Sequence, residues 1–293
     1  MNENEPSPIT KMPTDWLSIA QFVGNLLAML FLFGGAATLF ITGLFQYFSA
    51  KQDVQIAAAS LNIITANILV GIVMILSAGF ALLNISSKRY TVPPIWKKIL
   101  KLLHPKYWIL SLPLILWIGY FLAREDILPW YFPPILNQFV AIISAAWLIW
   151  LGTRGLKKGS QQRIWGTLSS GLIAAPALIM VIEIAGAVLV AIVIVIFIFK
   201  GDPNLEVINY WATRLTVLSE QEMLAQLQEQ INRPIVLWGA VGYLGIFVPI
   251  VEEFFKPLAV WLLARKKLTS QEGFTVGVIS GAGYAMFENL YAS

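Results

Sequence analysis

Long apolar stretches alternate with short polar connections along almost the whole chain. A helix that crosses a bilayer needs about 20 predominantly apolar residues, and most of these stretches approach or exceed that length. Only helices and closed barrels satisfy their backbone polar groups in lipid. We therefore predict an all-α, polytopic transmembrane helix bundle with about seven spanning helices. The apolar windows are 17–48, 61–85, 107–122, 134–152, 167–199, 235–264 and 274–293.

Composition places the chain in the same class. Of its 293 residues, 58% are hydrophobic and 12% are charged, whereas soluble domains carry about 25% charged residues. The absence of cysteine excludes disulfides and cysteine–zinc sites. The net charge of +4 is modest and unevenly distributed, so it indicates membrane topology and contact with lipids, with no nucleic-acid partner.

The distribution of Lys and Arg predicts the orientation of the bundle. These residues concentrate in the connections after the second, fourth and sixth apolar windows, and such connections are enriched on the cytoplasmic side. The N-terminus is therefore expected inside the cell, the last window is expected to run outward, and the protein is expected in the plasma membrane. Four regions follow: a polar cytoplasmic tail, a five-helix N-terminal membrane region, an extracytoplasmic amphipathic segment and a C-terminal core, at 1–16, 17–199, 200–234 and 235–293.

The sixth window contains an unusual group of charges in the sequence VPIVEEFFKPLAV, residues 248–260. An ionised residue at the centre of a membrane helix costs about 2.5 to 3.5 kcal/mol, so Glu252, Glu253 and Lys256 are expected to face other helices or water. Lys256 follows the two glutamates by four and three residues and thus shares their helix face. Pro257 lacks an N–H group and is expected to interrupt the helix beside them.

The seventh window carries a second acidic position. If both helices start at the cytoplasmic edge, Glu253 and Glu288 lie roughly 18 and 22 Å from that edge, so the acids of the two windows are predicted to share one layer. The neighbouring Asn289 offers an amide that both donates and accepts hydrogen bonds. A ridge of small residues is expected to let the two helices approach closely, namely Gly273, Gly277, Gly281 and Ala285.

The sequences EEFFK (252–256) and GYAMFEN (283–289) together resemble the first two motifs of PrsW-type intramembrane proteases, which are distant relatives of the CAAX prenyl proteases. The resemblance covers roughly residues 235–293, and Tyr284 stands where the family more often has phenylalanine. It implies a peptidase, glutamic or metal-dependent, that cleaves membrane-anchored proteins such as anti-sigma factors. The catalytic residues that it implies are Glu252, Glu253, Lys256, Glu288 and Asn289.

One departure from the family pattern concerns histidine. The family carries further helices after the second motif, with histidine-containing motifs, whereas this chain ends at Ser293 and its single histidine is His104, in a basic connection. The resemblance therefore implies either a fragment or a degenerate relative. A divalent metal such as zinc is expected only if histidine motifs complete its ligand shell.

The chemistry predicted for the glutamates is hydrolysis of a peptide bond. Adjacent carboxylates do not easily ionise together, so we expect one acid and one base. Glu252 or Glu253 would activate water, and Glu288 would be the companion carboxylate. Lys256 would hold one glutamate ionised or stabilise developing negative charge.

Three other interpretations stay open at this point. The charged residues could form a purely structural cluster, the protein could be a proton- or ion-coupled transporter, or it could be a non-catalytic membrane scaffold like the gamma-secretase subunit of the same superfamily. Glu183, midway along the fifth window, belongs to no motif. It is expected either to be a protonated helix-packing residue or to reach the same cavity as the other acids.

Overall fold

The computed structural model describes residues 15–48, 54–86, 111–124, 132–156, 159–198, 233–263 and 268–291, and the regular structure in these ranges is helical. His104, residues 1–14 of the predicted tail and all but the last two residues of the predicted amphipathic segment lie outside them. The helices are α1 Trp16–Phe48, α2 Val54–Ile85, α3 Ser111–Arg124, α4 Phe132–Gly152, α5 Gln161–Ser169, α6 Ala175–Ile198, α7 Pro234–Gly242, α8 Val248–Phe255, α9 Leu258–Leu263 and α10 Ser270–Tyr291. Two π-helical turns, Ser170–Ala174 and Tyr243–Phe247, join α5 to α6 and α7 to α8.

Five helical stretches of the described residues are long and apolar enough to cross a membrane, and they confirm the predicted all-α polytopic fold. A shorter apolar helix covers Ser111–Phe121. Helix α10 has the length but is not among the five, because glycine, serine and glutamate lower its hydropathy. The five stretches are Trp16–Phe45, Val54–Ile85, Phe132–Gly152, Gln161–Ile196 and Pro234–Phe255.

The described helices carry large apolar side chains on their outer surfaces. Phe31 on α1 is 82% exposed, and Val181 on α6 is 62% exposed. Such exposure would be unfavourable in water, but hydrocarbon tails are as apolar as these side chains. The surface therefore agrees with an integral membrane protein.

The chain divides into two compact units. The first unit comprises the residues up to Ile173 together with those from Ala259 onward, and the second unit comprises Ala174–Leu258.

In the first unit, α1 packs along α2, and α10 contacts α2, α4 and α5. The closest approach is at Gly171, in the π turn after α5, where a Cβ atom would overlap the carbonyl oxygen of Ser280 on α10. At Gly283 on α10, a Cβ atom would lie 2.9 Å from the carbonyl oxygen of Leu168. Glycine at both positions thus lets the two backbones touch. The buried apolar core of this unit consists of Leu32, Ala66, Val70, Met74, Ala141, Ala145, Leu172, Met286 and Leu290.

In the second unit, α6 packs against α7 and α8. Gly186 on α6 lies against the ring of Phe247, and a Cβ atom at Gly239 on α7 would lie 3.0 Å from Ile194. Two glycines, one on each partner, therefore bring α6 close to the segment that leads into the first acidic motif.

Candidate active site

The first motif lies on a short helix with an irregular turn at each end. Pro249 cannot donate a hydrogen bond to the carbonyl of Gly245, and Gly245 lies in the π turn that precedes α8. The N–H of Val248 instead donates to the carbonyl of Tyr243, five residues back. At the other end, α8 stops at Phe255, before Pro257. The helix interruption predicted from Pro257 is confirmed.

Lys256 forms ion pairs with both glutamates of this helix. Its Nζ lies 2.7 Å from Oε1 of Glu253 and 3.4 Å from Oε2 of Glu252. The Glu253 side chain is 75% exposed, whereas those of Glu252 and Lys256 are 29% and 26% exposed. The predicted common face of the three residues is confirmed, and Glu253 is the carboxylate with the closer ion pair and the greater access.

Glu183 is a third acid in the same unit. It lies on α6, which packs against α8, and it is within electrostatic range of Glu252. The hydroxyl of Tyr243 donates to the backbone carbonyl of Glu183 at 2.7 Å, so this residue is anchored to the π turn before α8. Its Oε1 is buried and has no hydrogen-bond partner among the described residues. This position favours the interpretation that Glu183 belongs with the acids of the motif.

The second motif lies near the end of α10 in the first unit. Glu288 and Asn289 are exposed, and Nδ2 of Asn289 donates to the carbonyl of Ala285 at 2.7 Å, one turn back on the same helix. Tyr284, the position that differs from the family pattern, is buried.

The close helix contact of α10 within the first unit does not involve the glycines of the predicted ridge. Among the described residues, a Cβ atom at Gly273 or Gly281 would have no neighbour within 4 Å, and one at Gly277 would meet only Val260 at 3.9 Å. The close contact instead involves Ser280 and Gly283. The predicted approach of the ridge to the helix of window 235–264 stays a prediction, because most of that helix lies in the second unit.

Side-chain amides from two other helices, of which Asn62 and Gln138 are buried, reach the backbone next to the second motif. Nδ2 of Asn137 on α4 donates to the carbonyl of Asn289 at 3.2 Å. The carbonyl of Leu290 accepts from Nε2 of Gln138 at 3.1 Å and from Nδ2 of Asn62 on α2 at 3.0 Å. These amides were not among the candidate residues predicted from the sequence. Their signal was their position inside the apolar windows 61–85 and 134–152, because polar residues in such windows usually have a partner or a function.

The start of α10 is fixed by a capping box. The hydroxyl of Thr269 accepts from the N–H of Glu272, and the N–H of Thr269 donates to the Glu272 carboxylate at 3.1 Å. Nη1 of Arg163 on α5 lies 2.7 Å from the same carboxylate. The backbone hydrogen bond from Thr269, then that from the Arg163 side chain, lower the pKa of Glu272 below its ordinary value. Glu272 precedes the apolar window that begins at Phe274.

The candidate residues thus fall into two groups. Glu183, Glu252, Glu253 and Lys256 lie in the second unit, whereas Glu288 and Asn289 lie in the first unit. The common layer of acids from both motifs stays a prediction.

The described residues do not fit a metal site. No group of three or more His, Cys, Asp or Glu side chains among them could hold a metal ion. The two carboxylates of the first motif already have the cationic Lys256 between them, and a positive charge there disfavours a second cation. We therefore derive no chemical step through a metal.

Comparison with known proteins gives one match. The profile of a family described as PrsW family intramembrane metalloprotease matches residues 164–292, which include both motifs and Glu183. No curated protein and no solved structure matches the chain. Residues 164–292 are thus similar to the PrsW family of intramembrane proteases, which supports the resemblance seen in the two motifs.

Proposed function

We propose that this protein hydrolyses a peptide bond of a membrane-anchored protein, with Glu253 as the base that activates water. The observation that carries the proposal is the ion pair of Lys256 with Glu253 at the interruption of an apolar, membrane-length helix. Charges are costly in such a helix unless they have a function or a partner. The similarity of residues 164–292 to a family of membrane peptidases supports the same conclusion.

The first step is the attack of water on the peptide carbonyl. The Glu253 carboxylate takes a proton from the water, and the water oxygen forms a bond to the carbonyl carbon, giving a tetrahedral intermediate. Glu253 suits this role because its side chain is 75% exposed at the helix interruption, so the described residues leave most of its surface uncovered. Lys256, at 2.7 Å, keeps the Glu253 carboxylate negative and correctly oriented.

The second step is the release of the amine. The C–N bond breaks, and the departing nitrogen needs a proton from a carboxylic acid. Glu252 is the donor that we propose, since it is next to Glu253 but has the longer ion pair with Lys256, at 3.4 Å. The proton that Glu253 took from the water then passes to Glu252, which returns both carboxyl groups to their starting states. Glu288 and Asn289 act as the companion acid and as an amide that binds the substrate backbone, roles that rest on the family resemblance.

The proposed substrate is an anti-sigma-factor-like protein with a single membrane anchor, and the proposed location is the plasma membrane. An interrupted helix supports a substrate of this kind, because the backbone groups released at Pro257 can meet water or a peptide inside the bilayer. A divalent metal would take part only if histidine residues beyond the described ones supplied its ligands.

The test is cleavage of a single-pass, anti-sigma-factor-like reporter that carries a different tag at each end. The full chain and the reporter are reconstituted in liposomes, and the two fragments are quantified by immunoblot. Glu253→Gln and Glu252→Gln are each expected to lower the cleavage rate by about 10² to 10⁴-fold, the usual contribution of a general acid or base.

Glu272→Gln is the matched control, since it makes the same chemical change at the start of α10. It is expected to keep the cleavage rate of the unsubstituted protein. Full cleavage by both motif variants, or no cleavage by the unsubstituted protein of a panel of such reporters, would contradict the proposal.

A further inference from the structure

Three side-chain amides converge on two consecutive backbone carbonyls that follow Glu288. We call Asn62, Asn137 and Gln138 the amide clamp. Asn137 donates to the carbonyl of Asn289, while Gln138 and Asn62 both donate to that of Leu290. Nε2 of Gln138 also donates to Oδ1 of Asn62, so the amides of α2 and α4 are bonded to each other as well as to α10.

Burial makes the hydrogen bonds of Asn62 and Gln138 hard to break. Asn62 and Gln138 are each 2% exposed, and a buried amide that loses its partner costs about 1 to 3 kcal/mol. A carbonyl oxygen has two lone pairs, so the two clamp hydrogen bonds from Asn62 and Gln138 satisfy both acceptor positions of the Leu290 carbonyl. The clamp thus satisfies a carbonyl near the end of α10.

The orientation of the Gln138 amide is determined by its neighbours. Its Nε2 faces two oxygens, Oδ1 of Asn62 and the carbonyl of Leu290. A flipped amide would place Oε1 against both of these acceptors, which would be repulsive. As it stands, Oε1 is buried without a hydrogen-bond partner among the described residues. The observed orientation thus leaves Oε1 of Gln138 without a partner among the described residues, but it lets Nε2 donate to two acceptors.

The clamp controls the direction in which Glu288 points. Successive residues of a helix are about 100° apart around its axis, since each turn contains about 3.6 residues. Holding the carbonyls of Asn289 and Leu290 therefore fixes the rotation of this turn and the direction of the side chain just before it. The hydroxyl of Tyr291 adds another contact, to Oδ1 of Asn67 at 2.7 Å.

We propose that the amide clamp is a positioning device that orients Glu288 and Asn289 for the hydrolysis proposed above, on which this inference rests. All three clamp residues lie outside the segment 164–292 that matches the protease family. The N-terminal helices α2 and α4 then have a specific task, which is to set the geometry of a motif that they do not carry.

A second polar cluster in the same unit provides a matched control. Asn25 on α1 donates to the Ser77 hydroxyl at 2.8 Å, and Gln21 donates to the carbonyl of Ser77 at 3.2 Å. Ser77 is fifteen residues after Asn62 on α2, or about 22 Å along the helix. Asn25 is buried like Asn62 and Gln138, but its amide donates to Ser77 and not to the backbone of the second motif.

The first readout is the split between kcat and KM for reporter cleavage. Gln138→Leu and Asn137→Leu are expected to lower kcat by on the order of tenfold or more, with KM within about twofold, because misplacement of a catalytic group by 1 Å can cost about 10²-fold. Asn137→Gln, which keeps a donor, is expected to recover most of kcat. Asn25→Leu is expected to keep kcat. An equal loss of kcat in Asn25→Leu would overturn the proposal, since the clamp would then be merely structural.

The second readout does not need peptidase activity. The chain contains no cysteine, so Glu288→Cys introduces a single thiol whose maleimide labelling rate reports the direction of that side chain. Gln138→Leu in this background is expected to change the rate by about threefold or more, whereas Asn25→Leu is not. An unchanged rate overturns the positioning role. A changed rate in a protein that cleaves no reporter supports the positioning role while contradicting the proposed function.

Discussion

The two motifs of this protein are held in place in opposite ways. In the first motif, Lys256 pairs with glutamates three and four residues away, and the helix ends beside them at Pro257. In the second motif, the helix is continuous, and the backbone at Asn289 and Leu290 accepts hydrogen bonds from residues 152 to 228 positions earlier. One arrangement is local, and the other depends on distant parts of the chain.

The two motifs therefore differ in which parts of the chain each one needs in order to form. The first motif has its cation, its acids and its proline within six residues, so its geometry follows from helix periodicity. The second motif takes up its observed position only when α2, α4 and α5 pack against α10. Substitutions far away in sequence are therefore expected to affect the second motif more than the first.

The largest effect is expected from removing the cation of the first motif. Lys256→Met leaves two adjacent carboxylates without their ion-pair partner, and reporter cleavage is expected to fall by about 10²-fold. Lys256→Arg keeps the charge but changes its shape, and it is expected to retain more activity than Lys256→Met. A cleavage rate for Lys256→Met within about threefold of the unsubstituted rate would show that the ion pair has no catalytic role.

The next effect concerns the contact that seats α10 in the first unit. Gly171→Ala places a methyl group against the carbonyl of Ser280, and such overpacking lowers the free energy of unfolding by about 1 to 3 kcal/mol. Gly281→Ala, on the same helix as Ser280 but with open space around it, is expected to cause no loss. Unfolding in detergent measures both, and equal values for the two variants would contradict the contact.

A smaller effect is expected from repairing the helix interruption of the first motif. Pro257→Ala restores an N–H donor for the carbonyl of Glu253, so the helix is expected to become more regular and no less stable. Cleavage is expected to fall by about tenfold, or about 1.4 kcal/mol in activation free energy. Pro133→Ala in the first turn of α4, where proline is well tolerated, is the control and is expected to leave cleavage unchanged. A faster reaction in Pro257→Ala would show that the interruption hinders catalysis.

The smallest effect is a pH dependence at the start of α10. Because the pKa of Glu272 in the folded protein is below its ordinary value of 4.5, its contribution to stability is complete above that value and is lost as the pH falls through the folded pKa. The thermal stability of the protein is expected to decrease below about pH 4.5, and Glu272→Gln is expected to weaken that decrease. Melting curves between pH 7 and pH 3 measure it, and an identical pH profile for the variant would contradict the assignment.

The features that could be predicted from the sequence are those that depend on residues close together along the chain. The membrane class and the helices followed from apolar windows, the pairing of Lys256 with both glutamates from spacing, and the break at Pro257 from its missing N–H. Each of these features is determined within about one or two helical turns.

What could not be predicted depends on residues that meet only in the folded chain. The contact of Gly283 with Gly171 is an example, because neither glycine belongs to a pattern that identifies the other as its partner. A proline such as Pro249 predicts that the helix is interrupted, but it does not predict that the chain forms the π turn Tyr243–Phe247 there. The amide clamp joins α2 and α4 to α10. A single amide in an apolar window does not indicate which residue it will form a hydrogen bond with.

The modest hydropathy of α10 has a consequence for biosynthesis. Its glycines, polar residues and acid make this helix a poor candidate for independent entry into lipid, so it needs prior partners that cover its polar side. Those partners, α2, α4 and α5, all precede it in the chain and leave the ribosome first. The order of synthesis thus matches the order of assembly, and the surface of α2, α4 and α5 is present when α10 emerges.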